Sequence, residues 1–116
     1  MANWQALIRE QLEKDREASV KLLQEWVQSP SVQGAEEAIQ KSIADHLAEM
    51  GLSVDLWVME GEELVSHPYF VSPRQTFEGS PNVVGVWKGA GNGRSLILNG
   101  HVDVVPAGDY AQWSDD

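Results

Sequence analysis

The feature that most constrains the fold is an apolar run near the end of the chain, Ser95 to Leu98, in which hydrophobic and polar residues do not alternate. Such a run predicts a β-strand that is covered on both faces, because a strand with one solvated face alternates. A strand of this kind needs other elements packed on each face of its sheet. The 116 residues are enough for one such core. The sequence therefore predicts an α/β fold, with residues 1–116 forming part of one domain and no second domain.

Two helices are predicted before this run. The first extends from Trp4 to Val27, where apolar residues recur at steps of three and four, and Ser29-Pro30 ends it. The second follows Gly34 and ends near Gly51, a residue suited to a left-handed cap. Its predicted apolar stripe consists of Ile39, Ile43, Leu47 and Met50.

Strands of a mixed sheet are predicted after the helices. Alternation and β-propensity favour a strand over Ser53–Met59. The next part, Glu60–Pro81, is rich in proline and charge and predicts a long surface segment that its aromatic residues attach to the body. Two strands, Asn82–Lys88 and Arg94–Asn99, are then expected to form a hairpin across the glycine-rich loop Gly89–Gly93.

Composition excludes several classes of function. Eighteen acidic residues against eight basic ones give a formal net charge of −10, which disfavours a nucleic-acid partner. The chain contains no cysteine, so any metal must be bound by histidine or carboxylate side chains. No stretch approaches the roughly 18 apolar residues of a membrane-spanning helix, and the first residues lack the pattern of an export signal. We therefore expect a cytoplasmic protein without a membrane partner.

The residues that carry chemistry follow the predicted buried strand. His101 and Asp103 are two residues apart, which places both on one side of an extended chain. An imidazole can bind a metal through one ring nitrogen while a carboxylate fixes the tautomer at the other. From Ser95 onward the chain has four aspartates and no lysine or arginine, a balance that suits cations. On spacing alone, a hydrogen-bonded surface pair is the commoner explanation of a His-x-Asp sequence.

The wider string resembles the first metal-binding motif of the zinc aminoacylase family. That family includes acetylornithine deacetylase, succinyl-diaminopimelate desuccinylase, aminoacylase and the glutamate carboxypeptidases. The motif residues run from Gly100 to Gly108, as Gly-His-Val-Asp-Val-Val-Pro-Ala-Gly, and Trp113 follows. The resemblance extends upstream to Ser29-Pro30-Ser31-Val32, Gly34 with Glu36 and Glu37, Gly51-Leu52, and Asn82-Val83-Val84-Gly85.

The resemblance implies a fold, a reaction and two site residues. The family fold is a three-layer α/β/α catalytic domain, and its members hydrolyse amide bonds with two zinc ions, for which cobalt or manganese are alternatives. By position, His101 would be a metal ligand and Asp103 the catalytic carboxylate that orients its imidazole. The implied substrate is a small amide of an acylated amino acid, as in the acetylornithine deacetylase-like branch. Independently of the resemblance, a homodimer or other self-association is expected, because the segment alone would expose sheet edges, particularly at Leu96–Leu98.

The same resemblance implies that this chain is incomplete. The remaining metal ligands and the glutamate base lie downstream in the family, so residues 1–116 correspond to an N-terminal segment that we expect to be inactive alone. Within the enzyme class, a formylaminopyrimidine deformylase or a succinyl-diaminopimelate desuccinylase is the alternative. Outside it, a noncatalytic homologue that serves as an interaction or self-associating module remains open.

Overall fold

A computed structural model describes residues 3–114 of the chain. The elements are α1 (Trp4–Val27), α2 (Glu37–Glu49), β1 (Ser53–Trp57), α3 (Glu62–Val65), β2 (Asn82–Val86) and a 3-10 helix at Tyr110–Gln112. Both predicted N-terminal helices are present, and helices combined with a small sheet agree with the predicted α/β class. The chain divides into two compact units after Ser29.

The first unit is the single helix α1. Its N-terminus is capped by Asn3, whose side-chain oxygen accepts a hydrogen bond from the amide of Ala6 at 3.3 Å. None of its residues, all of which the structure describes, is buried. The apolar stripe therefore forms the predicted helix and remains exposed, with Trp4 71% and Val27 76% accessible.

The second unit is built on α2 and an antiparallel pair of strands. β1 pairs with β2 in a register that sets Ser53 opposite Val86 and Trp57 opposite Asn82. α2 packs on both strands and buries Ile39 and Ala44. The contact is close at Gly85 of β2, where an added Cβ would lie 2.9 Å from a methyl carbon of Leu52. The predicted second helix and the first two strands are thus confirmed, with strands two residues shorter than predicted.

The long segment between the strands contains the short helix α3 and is attached by aromatic packing. Phe77 is buried, and Phe70 meets its ring edge-on at a centroid distance of 6.2 Å. The guanidinium of Arg74 lies over the same ring, 5.2 Å from its centroid. Aromatic attachment is therefore confirmed at Phe70 and Phe77, whereas Tyr69 is 85% exposed and contributes no such anchor.

The predicted strand over Arg94–Asn99 is not formed, and the predicted hairpin across Gly89–Gly93 is wrong. The pairing partner of β2 is β1, and the two make a two-stranded sheet. Instead of being covered on both faces, Leu96, Ile97 and Leu98 are 81%, 88% and 88% exposed. A strand needs a neighbour that receives its backbone hydrogen bonds. Within residues 3–114 no strand fulfils that role for this run.

Candidate functional site

His101 and Asp103, the two residues predicted for the site, lie in direct contact. The imidazole Nδ1 is 2.9 Å from a carboxylate oxygen of Asp103 and 3.2 Å from its backbone carbonyl oxygen. Because both neighbours are oxygen acceptors, Nδ1 is assigned the hydrogen and donates it. The lone pair is then on Nε2, the nitrogen that faces away from the carboxylate. This is the arrangement of a metal-ligating histidine whose tautomer a carboxylate fixes.

Both side chains of the pair are accessible. The imidazole of His101 is 82% exposed and the carboxylate of Asp103 56% exposed. Packing therefore does not hold them, and solvent screens the attraction between them. Nε2 of His101 is within reach of a ligand from solution.

The backbone of the pair is held by the loop between α1 and α2. The hydroxyl of Ser31 donates to the carbonyl oxygen of Val102 at 2.7 Å. The amide of Val104 donates to the carbonyl oxygen of Ser31 at 3.0 Å, and Val32 forms a parallel bridge with Val104. Ser31 is 3% exposed, which makes this a buried attachment. Sequence reasoning included Ser31 in the upstream resemblance but did not assign it to the site.

The loop that carries Ser31 is itself fixed by a buried carboxylate. Glu36, 7% exposed, accepts hydrogen bonds from the amide of Gly34 at 2.9 Å and from the hydroxyl of Ser80 at 2.6 Å. Ser80 accepts in turn from the guanidinium of Arg74 at 3.0 Å. Glu36 is the N-cap residue of α2, and its side chain links the loop before α2 to the segment before β2.

An open groove of about 390 Å³ runs beside His101. Its walls come from α2, the two strands and the segment that leads into the motif: Gln40, Ile43, Trp57, Asn82, Val83, Val84, Asn99, Gly100, His101 and Val102. Among the side chains that the structure describes, the Oε1 of Gln40 is buried without a hydrogen-bond partner. The groove is thus lined by apolar side chains and by the amide side chains of Gln40, Asn82 and Asn99, together with the imidazole of His101.

The residues after Asp103 close into a compact turn. The indole Nε1 of Trp113 donates to the carbonyl oxygen of Ala107 at 3.0 Å, and Asp109 accepts from the amide of Ala111 at 3.0 Å. Asp109 therefore caps the 3-10 helix and does not join the His101–Asp103 pair. Asp115 and Asp116, interpreted from the sequence as a frayed tail, lie outside the described residues.

The described residues bring together one histidine and one carboxylate as possible metal-site groups. Over residues 3–114, no three histidine or acidic side chains come together where they could hold an ion. One imidazole and its orienting carboxylate fit the role of a single ligand, whereas a zinc site takes three or four. The geometry of the pair therefore fits the predicted role of His101 as one ligand.

Comparison with known proteins gives relatives of one kind. The chain is 37% identical over 82 residues, 69% of its length, to the N-formyl-4-amino-5-aminomethyl-2-methylpyrimidine deformylase of Bacillus subtilis. It is 35% identical over 96 residues, 82% of its length, to the succinyl-diaminopimelate desuccinylase of Methylobacterium nodulans. The chain belongs to this family of amidohydrolases. The resemblance inferred from the motif is thereby confirmed.

The match covers a small part of these amidohydrolases. The aligned residues span 15% of the deformylase and 20% of the desuccinylase. A second desuccinylase, from a Ruegeria species, is 42% identical over 53 residues, which is 46% of this chain. No family model and no solved structure matches the chain. In the part that the structure describes, no helix is long and apolar enough to cross a membrane.

Proposed function

We propose that the protein to which this chain belongs hydrolyses an amide bond of an acylated, amino-acid-like substrate in a metal-dependent reaction. The observation that carries the proposal is the 2.9 Å contact between Nδ1 of His101 and the carboxylate of Asp103, which leaves Nε2 exposed as a ligand. The relatives support the reaction class, because two that match over more than two thirds of this chain are named as a deformylase and a desuccinylase.

Each residue of the pair has a separate task in this proposal. Asp103 accepts the hydrogen of Nδ1 and so holds the imidazole in one tautomer and one orientation. His101 presents its Nε2 lone pair as a metal ligand. The metal, two zinc ions in the intact enzyme or cobalt or manganese in their place, would polarise the substrate carbonyl and activate a water molecule. Neither residue acts as a covalent nucleophile, and the cysteine-free chain offers no thiolate for that role.

The remaining parts of the site are proposed to come from other residues of a longer protein. The alignments span a fifth or less of the relatives, which supports the view that residues 1–116 are an N-terminal segment of a three-layer α/β/α catalytic domain. The general base and the other ligands would follow this segment. We therefore expect the chain alone to hydrolyse no amide, because one ligand with its orienting carboxylate cannot complete a zinc site.

The substrate is proposed to be a small amide, cleaved in the cytoplasm. The sequence favours an acetylornithine deacetylase-like substrate. The two alternatives within the enzyme class, a formylaminopyrimidine deformylase and a succinyl-diaminopimelate desuccinylase, are the names of two relatives. The groove beside His101 offers amide side chains and apolar walls, a lining that suits an acyl chain attached to a polar amide.

The test is a titration of the chain with zinc. Calorimetry measures the affinity, and NMR of the imidazole nitrogens identifies the ligand. We expect binding weaker than about micromolar, or roughly 8 kcal/mol, with Nε2 of His101 as the most strongly shifted ring nitrogen. His101→Ala should abolish the response. His67→Ala is the matched control, because the Nδ1 of His67 accepts a backbone amide and no carboxylate orients that ring.

Two results would contradict the proposal in different ways. If zinc shifts His46 or His67 and leaves His101 unchanged, His101 is not the ligand. If binding is tighter than micromolar and is lost in His101→Ala, the chain or its self-association completes a site, and the idea of a half-built centre is wrong. Amide hydrolysis by the purified chain that a chelator abolishes and zinc restores would lead to the same conclusion.

A second candidate function, a self-associating module, is favoured by one observation. Leu96, Ile97 and Leu98 form an extended apolar run that is more than 80% exposed. Extended segments of this kind pair readily with a second copy. We expect a dimer in light scattering at about 20–50 μM, a range suited to weak edge pairing, and a monomer for Ile97→Lys. A monomeric mass for the unaltered chain would contradict this candidate.

A further inference from the structure

The buried residue Ser31 makes hydrogen bonds to the backbone on both sides of Asp103. The hydroxyl of Ser31 binds the carbonyl oxygen of Val102, the residue between His101 and Asp103, at 2.7 Å. The carbonyl of Ser31 binds the amide of Val104, the residue that follows Asp103, at 3.0 Å. Two hydrogen bonds from Ser31 thus fix the peptide units before and after the carboxylate.

These two hydrogen bonds matter because the side chains of the pair are themselves exposed. The side chains of His101 and Asp103 are 82% and 56% exposed and contact each other, not a packed wall. Residues two apart face the same side only while the backbone between them stays extended. A rotation of the peptide at Val102 would turn the imidazole away from the carboxylate and release its tautomer.

Ser31 can act in this way because it is itself held. It is 3% exposed, and the next residue, Val32, bridges to Val104 and accepts the amide of Ala35 in a turn at 2.9 Å. Beyond that turn, the buried Glu36 ties the amide of Gly34 to Ser80. The Ser31 hydroxyl therefore belongs to a loop that hydrogen bonds hold in place, and its own hydrogen bond fixes the position of Val102.

We propose that Ser31 is a positioning residue for the His101–Asp103 pair and that its hydroxyl, not its volume, performs this role. The proposal rests on the function proposed above for that pair. It assigns to Ser31 no contact with substrate or metal. Its effect is to keep Nδ1 of His101 bonded to Asp103, so that Nε2 is presented as the free lone pair.

The experiment measures the imidazole and one amide in metal-free buffer. At about pH 8, where an ordinary imidazole is neutral, nitrogen NMR of the unaltered chain should show His101 as the Nδ1–H tautomer. In Ser31→Ala we expect a shift toward the tautomer mixture of a free histidine. Alanine retains the backbone hydrogen bond of the Val104 amide to the Ser31 carbonyl, but opening of this attachment no longer breaks the bond from the Ser31 hydroxyl to Val102. The Val104 amide should therefore exchange about tenfold faster, the factor that corresponds to the loss of one hydrogen bond. Ser31→Thr keeps the hydroxyl and should restore both readouts.

Two further variants keep the test decisive. Ser31→Cys has nearly the same volume but a weak donor, and it should behave like Ser31→Ala even if the alanine variant is too unstable to study. Ser66→Ala removes an exposed serine hydroxyl that donates to the carbonyl of Glu63 at 3.3 Å, and it should change neither readout. A merely structural role for Ser31 would lower the free energy of unfolding without altering the His101 tautomer of the folded chain.

The proposal is overturned if folded Ser31→Ala or Ser31→Cys retains the Nδ1–H tautomer of His101 and the slow exchange of Val104. It is also overturned if Ser31→Thr, folded, fails to restore them. Because both readouts are taken without metal, they are independent of the zinc titration. Loss of the tautomer together with zinc binding at another histidine would support Ser31 as a positioning residue and refute the proposed role of His101.

Discussion

The two sides of His101 differ in how the chain holds them. The segment before it includes the apolar run Leu96–Leu98, which lies in no strand and is exposed. The segment after it, Val102–Val104, is polar at its centre and is attached to Ser31 by two hydrogen bonds. The less hydrophobic segment is therefore the one that makes hydrogen bonds to another part of the chain. Hydrophobicity shows what a segment is suited to contact, whereas its hydrogen bonds show what it contacts in this molecule.

This difference also divides the site. The attached side supplies an oriented imidazole, which is the part of the chemistry that two neighbouring residues can build. The exposed side contributes Asn99 and Gly100 to an open groove. The exposed imidazole of His101 and the exposed apolar run Leu96–Leu98 thus lie close together along the chain.

The largest difference in the free energy of unfolding is expected between two isoleucine-to-alanine substitutions, one at a buried position and one at an exposed position. Ile39→Ala should lower the free energy of unfolding by about 2–5 kcal/mol, because Ile39 is 5% exposed between α2 and the strands. Ile97→Ala, at 88% exposure, should change it by less than about 0.5 kcal/mol. Urea unfolding of both variants provides the measurement. A loss above 1 kcal/mol for Ile97→Ala would mean that the run is covered in solution.

Local elements were predictable from the sequence because their signals are local. The stripe of α2 and the left-handed Gly51 define that helix, and the alternation of β1 gives its face. The neighbours of a strand are not encoded in its own residues. For that reason the run Leu96–Leu98 was wrongly predicted to be a buried strand paired with β2, whereas β2 pairs with β1 and the run forms no strand.

In the candidate site, too, the sequence predicted the local contact but not the distant one. The contact between His101 and Asp103 follows from a spacing of two in an extended chain, and the sequence displays it directly. The support from Ser31 crosses 71 positions of the chain, and no periodicity links residues so far apart. Its only sequence signal was the Ser29-Pro30-Ser31-Val32 string, which resembled the family without indicating a task for the hydroxyl.

The second largest effect should come from the buried carboxylate that secures the Ser31 loop. Glu36→Ala leaves the amide of Gly34 and the hydroxyl of Ser80 without their acceptor, and we expect a loss of about 2–3 kcal/mol. Glu37→Ala is the matched control, since that side chain is 55% exposed and pairs only with Lys41. It should cost about 0.5 kcal/mol or less. Equal losses in the two variants would show that the loop is not held by Glu36.

A smaller effect is expected where the segment before β2 meets the same loop. Gly79 has a φ of +76°, and an added Cβ would lie 2.8 Å from the carbonyl oxygen of Gly34. Gly79→Ala should therefore cost about 1–2 kcal/mol through strain and a shift of one backbone against the other. Gly93, with open space around it, is the control and should tolerate alanine. If Gly79→Ala is as stable as Gly93→Ala, the two segments are farther apart in solution.

The smallest effect on stability should come from the residue with the largest proposed effect on function. His101→Ala removes an exposed imidazole whose one side-chain partner is an exposed carboxylate, so the free energy of unfolding should change by no more than about 0.5 kcal/mol. Zinc-induced shifts should nevertheless disappear from the NMR spectrum. Ser31→Ala should show the opposite balance, with a measurable loss of stability and a residual, weakened zinc response. If His101→Ala instead destabilised the chain by more than 1 kcal/mol, the pair would have to be regarded as part of the fold.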